Sequence, residues 1–119
     1  MAEERTTESV IDMEEALLCT HGDRDMLISM GQLFLEEGPR QLQAIGEQIE
    51  AGDASGIRDT AHTLKGSVVI FGARSAAAAA LAVEHAAADG ELSQVPQAWE
   101  TLNREMERLL HAVQELCHG

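Results

Sequence analysis

Tyrosine is missing from the 119 residues, and the only aromatic side chains are Phe34, Phe71 and Trp99. A core with so few aromatics must be filled by Leu, Ile, Val, Met and many alanines, which favours helices over strands. Basic residues are also scarce: eight Lys and Arg stand against 21 Asp and Glu, for a formal charge of -13. Nucleic acid is therefore excluded as a partner, because phosphate backbones are held by clustered cations. Cysteine is limited to Cys19 and Cys117, which are isolated and show no C-x-x-C spacing. They read as two free thiols in a reducing compartment. Long apolar runs are lacking too. The longest, Ala76 to Val83, falls far short of the ~18 residues that mark a membrane span. Met1 to Asp12 is acidic and polar, without the apolar stretch of a signal peptide. The expected location is the cytoplasm, with no membrane insertion.

A chain of this length and 45% hydrophobic content suits one domain around one core. Residues 1–9 read as a flexible lead-in and residues 10–119 as the domain. Asp12 followed by Glu15 resembles a capping box for a short helix carrying Ala16 and Leu17, with Val10 as an outer staple. His21-Gly22 breaks that helix, and Asp23 can cap a second one whose apolar face is Leu27, Met30, Phe34, Leu42, Ile45 and Ile49. Gly38-Pro39 lies inside this segment and predicts a kink or a short break, since proline lacks the amide donor. A third helix is expected from Asp53 or Ser55 to about Phe71, stopped by Gly72. An alanine-rich fourth should run from about Arg74 to Ala88. The last should begin near Val95-Pro96, where proline suits the first turn. Its apolar residues Val95, Trp99, Leu102, Met106, Leu109, Val113 and Leu116 recur at spacings of four and three. The expected fold is all-α: an antiparallel four-helix bundle with a short additional N-terminal helix.

The third helix carries the chemistry. At about 100° per residue, Ile57, Ala61, Leu64, Val68 and Phe71 share one face, which makes it the core face. Arg58, His62, Lys65, Gly66 and Val69 lie on the side turned away. An exposed imidazole is a suitable nucleophile near neutral pH, with an unperturbed pKa of ~6.5. Lys65 can offset the charge of a phosphoryl oxygen. Glycine inside a helix costs ~1 kcal/mol relative to alanine, so Gly66 implies a need for close access. Val69, apolar on an exposed face, suits a docking surface. Arg58, Lys65 and Arg74 are three of the eight basic residues and fall on or just after this one helix. They read as a local positive patch.

The segment Ala61-His62-Thr63-Leu64-Lys65-Gly66-Ser67, followed by Gly72-Ala73, resembles the signature of the histidine-containing phosphotransfer (HPt) domain family, A-H-x-L-K-G-S with a later G-A. Phe34-Leu35 with Pro39, Gly52-Asp53, Glu84 and Asp89-Gly90 also fall where that family's pattern would put them. The similarity spans roughly Ile11 to Gly119. It implies that His62 is the phosphorylated residue, that Lys65 stabilises the phosphoryl group, and that Gly66 makes room for a receiver domain; the exposed face itself adds Arg58 and Val69 as docking-surface candidates. It further implies a phosphocarrier without kinase activity of its own, working between the phospho-aspartates of a hybrid sensor histidine kinase and a response regulator. No cofactor is expected in this chain, with Mg²⁺ confined to the partner receiver domain. The apolar run Val68 to Phe71 departs from the smaller or polar residues that family members often carry, which leaves partner identity open.

Two rival readings come from other classes. A metal site would use His21, His62, His85, His111, His118 and the cysteines, but no two histidines stand at the i, i+4 spacing of a helical zinc pair. A helical adaptor that binds a signalling partner without being phosphorylated is the alternative function. It has no reason to keep His62, Lys65 and Gly66 together.

Overall fold

The computed structural model describes residues 10–118, so the 1–9 lead-in lies outside the described residues. Among the described residues five helices follow one another: α1 (Met13–Cys19), α2 (Arg24–Ala51), α3 (Ala54–Val69), α4 (Arg74–Ala88) and α5 (Val95–His118), with a short 3₁₀ turn, Leu92–Gln94, leading into α5. No strand occurs among the described residues. The long helices pack as a closed ring, α2 on α3, α3 on α4, α4 on α5 and α5 back on α2. Short connections force successive neighbours to run antiparallel. No helix among the described residues is long and apolar enough to cross a membrane.

The capping residues fix the starts. Asp12 accepts from the Glu15 amide, Asp23 from the Met26 amide and Asp53 from the Gly56 amide, at 3.2, 3.0 and 2.9 Å. Each satisfies one of the amide donors left open in a first helical turn. His21 and Gly22, both at positive φ, separate α1 from α2. Gly72 is the tightest turn. It sits at φ 62, and a Cβ there would lie 2.6 Å from Cβ of Asp12. The Asp12 amide donates to the Phe71 carbonyl at 2.9 Å, so the start of α1 docks on the α3–α4 turn.

Of the kink or short break expected at Gly38-Pro39, the break does not form. The second helix neither breaks at Gly38-Pro39 nor ends there: α2 is continuous through Pro39 for 28 residues. An internal proline costs ~3 kcal/mol through the lost hydrogen bond and the clash with the preceding turn. Here that cost is offset because the helix is anchored on both sides, by buried Leu27 and Phe34 before the proline and Ile45 after it. Gly38 is part of the same packing. A Cβ at that position would lie 3.2 Å from Cε of Met106 and 3.3 Å from the Phe34 ring, so the glycine admits α5 rather than marking a break.

The predicted core face of α3 is confirmed, with Ile57, Ala61, Leu64, Val68 and Phe71 all buried. Phe71 meets Phe34 of α2 with ring centroids 5.3 Å apart. The α5 stripe is buried as expected apart from Trp99, which is half-buried and donates from Nε1 to the Leu42 carbonyl at 3.3 Å. Polar atoms of this kind keep tryptophan near a rim where a partner is available.

Leu64 and Lys65 are adjacent in sequence and opposite in environment. Leu64→Ala should lower the unfolding free energy by ~2–5 kcal/mol, the cost of a cavity in a closed core. Lys65→Ala should cost less than ~1 kcal/mol. Urea denaturation of the two variants checks the helical phase, and equal losses would show it to be wrong.

Candidate functional site

The α3–α4 turn places His62 opposite Glu84. The two are 22 residues apart, and Ala73, in the turn, is midway between them. Small residues line the contact between α3 and α4: Ala61 of α3 is buried, and Ala76, Ala80 and Ala87 are buried on the Glu84 side of α4 by helical phase. Such residues allow helix backbones to approach closely. Glu84 is the one carboxylate in the stretch Arg74 to Ala88, and it projects across this contact.

Its two oxygens take different partners. Oε2 lies 3.1 Å from Nδ1 of His62, and Oε1 faces Nζ of Lys65 at 3.6 Å. An ionised carboxylate only accepts hydrogen bonds, so the short contact puts the proton of a neutral imidazole on Nδ1. Nε2 then carries the lone pair and has no protein partner among the described residues. The His62 side chain is 65% exposed, whereas that of Glu84 is only 18% exposed. The group that orients is enclosed, and the group that is oriented faces solvent. Oε1 is shut off from water, and the lysine stands too far away for a hydrogen bond.

Around the imidazole is a shallow groove of about 380 Å³ lined by Arg58, Asp59, His62, Thr63 and Glu84. One turn along α3, a Cβ added to Gly66 would meet nothing within 4 Å. Space inside the protein therefore does not explain this glycine. Val69 is 51% exposed, and Leu33 of α2 is 60% exposed. Leu33 lines an apolar groove with Met30, Phe34 and Ile70 between α2 and α3.

Arg58, His62, Lys65, Gly66 and Val69 thus share one side of α3 as the sequence indicates, but the positive patch does not survive. Each of its cations has an acidic neighbour. Arg58 pairs with Asp59 at 3.3 Å and Lys65 with Glu84. Arg74 pairs with Glu15 of α1, a hydrogen bond that pushes its pKa further up. Arg74 therefore serves the α1–α4 junction. Burial pushes the Cys117 thiol pKa up, while Cys19 is exposed, and both cysteines are free.

Residues 29–115 match the Hpt domain family. The chain therefore belongs to the HPt family, a class of helical proteins with a histidine phosphotransfer role in two-component signalling. The structure is similar to the crystal structure of histidine-containing phosphotransfer protein B (HptB) from Pseudomonas aeruginosa PAO1, with 25% sequence identity and a TM-score of 0.81. The similarity covers 92% of this chain and 96% of that one. No curated protein sequence matches the chain.

The open surroundings of Gly66 generate a stability prediction. Gly66→Ala should raise the unfolding free energy by up to ~1 kcal/mol, because alanine is the better helix former and finds room there. Thermal denaturation reads this as a higher Tm, and a lower Tm would mean that a neighbour occupies the space.

Proposed function

We propose that the chain is a phosphorelay intermediate carrying a phosphoryl group on Nε2 of His62 between phospho-aspartates of receiver domains. One observation carries this reading: an exposed imidazole is held through Nδ1 by an enclosed carboxylate, which leaves Nε2 as the unpartnered nucleophile. In uptake, the Nε2 lone pair attacks phosphorus in line as the bond to the aspartate oxygen breaks. Lys65 lies beside the same carboxylate and can turn to the phosphoryl oxygens, supplying the cation that phosphoryl transfer requires.

The chain acts as a phosphocarrier in the cytoplasm, without kinase activity of its own. Its partners are a hybrid sensor histidine kinase and a response regulator. Mg²⁺ and the acidic pocket belong to their receiver domains. Docking uses the face around His62, where Gly66 leaves the helix backbone accessible and Arg58 supplies a polar edge. Val69 and Leu33 supply exposed apolar area, the kind of surface that stabilises a transient complex.

Incubation with a phosphorylated receiver domain tests the assignment. His62→Gln should abolish acceptance of an acid-labile, base-stable phosphoryl group, with stability changed by no more than ~0.5 kcal/mol at this exposed position. Labelling that persists in the variant would move the site elsewhere. Gly66→Leu should slow transfer from the receiver domain by tenfold or more, on the order expected when reacting atoms are held apart by about 1 Å. Phosphorylation by phosphoramidate, which needs no docking, should be spared. Unchanged transfer from the receiver domain would remove Gly66 from the docking face.

A further inference from the structure

The contact between His62 and Glu84 does more than choose a tautomer if the proton is followed through the whole cycle. We propose that Glu84 keeps one proton on Nδ1 during both uptake and release, so that the phosphoryl group moves through His62 without any proton transfer. This rests on the reading of His62 as the carrier.

In uptake, the Nε2 lone pair forms the N–P bond, and the electron pair of the broken P–O bond leaves with the donor carboxylate. The ring already holds a proton on Nδ1, so it becomes a phospho-imidazolium with one positive charge. In release, the N–P bond breaks toward an acceptor carboxylate and its electron pair returns to Nε2. The ring is again neutral, with the same proton on Nδ1. A phosphohistidine that had lost this proton would have to leave as an imidazolate anion, a far poorer leaving group. It would also set a nitrogen lone pair against Oε2 of Glu84, at a position where the two atoms are now 3.1 Å apart.

The surroundings favour retention. Glu84 is the one carboxylate in direct contact with the ring among the described residues, and it is largely enclosed, with Oε1 lacking a hydrogen-bond donor. An anion placed this way is poorly served by solvent and gains from a charged donor at its other oxygen. Lys65 on α3 opposes retention, because it faces the same carboxylate at 3.6 Å. Transfer of Lys65 to the phosphoryl oxygens removes that opposition when the phosphoryl group arrives. Arg58 and Asp59, also on α3, pair with each other. Arg40 of α2 faces the other side of α3, in a groove with Asp59, Thr60 and Thr63. Glu84 acts through the imidazole and is a positioning residue.

Glu84→Gln separates charge from geometry, since the amide oxygen can still accept from Nδ1. Both proteins are phosphorylated with phosphoramidate, and transfer to a receiver domain is timed between about pH 6 and 8.5, the range in which an ordinary imidazole loses its charge. The wild-type rate constant should vary by less than about threefold, whereas that of Glu84→Gln should match it near pH 6 and fall about tenfold or more by pH 8.5. Parallel profiles would overturn the proposal. A second measurement needs no variant: the ¹⁵N shifts of phosphorylated wild-type His62 should show Nδ1 still protonated near pH 8, and loss of that proton by pH 7 would also overturn it. A wild-type protein that takes up no phosphoryl group on His62 is a distinguishable result, which overturns the carrier reading and this inference with it.

Discussion

The close approach of α3 and α4 is the constraint on which the site depends. Glutamate reaches only a few ångströms from its helix, so its carboxylate can touch a side chain on the neighbouring helix only where nothing large stands between the backbones. Buried Ala61, Ala76, Ala80 and Ala87 provide that proximity. The turn at Gly72 and Ala73 sets the register that brings Glu84 opposite His62. A bulky residue at one of the facing alanines would push the helices apart and release the imidazole, even though no functional atom had been changed. The alanine run is thus a geometric requirement of the chemistry as well as a source of helix propensity.

Charge at the site is balanced, which matters in an acidic protein. Arg58, Lys65 and Arg74 each meet a carboxylate, so the surface offers a phosphoryl group no standing cationic cradle. In the proposed reading Lys65 would have to leave Glu84 to serve it. The pair is 3.6 Å apart and not hydrogen-bonded, so that exchange breaks no hydrogen bond. A strong cradle would hold the phosphoryl group. A carrier must also give it up, and a shared lysine beside a carboxylate suits a group that passes through.

Much of this architecture is legible in the sequence, and the exceptions have physical reasons. Helix starts at Asp12, Asp23 and Asp53 follow from local hydrogen-bonding chemistry, and the α5 stripe from periodicity, because both are properties of a few neighbouring residues. As a sign of a break Pro39 misleads, because its local penalty is real but is outweighed by packing on both sides of it, which no short window contains. The positive patch misleads in part for the same reason: counting cations along α3 does not reveal Glu15, 59 residues from Arg74 in sequence, or Glu84 beside Lys65, although Asp59 stands next to Arg58. The side of α3 that carries His62 could be read from the wheel alone. The role of Glu84 could not, although a single carboxylate in an alanine-rich helix, set symmetrically with His62 about a predicted turn, is a signal that sequence reasoning could have used.

The central claim is that one atom, Nε2 of His62, bears the phosphoryl group because Glu84 occupies Nδ1. The direct measurement is ¹⁵N–³¹P coupling in the ¹⁵N-labelled, phosphorylated protein, with the five histidines assigned. The account predicts one phosphorus coupled to Nε2 of His62 and an Nδ1 that remains bonded to hydrogen. Coupling to Nδ1 of His62, or to a nitrogen of another histidine, would contradict it.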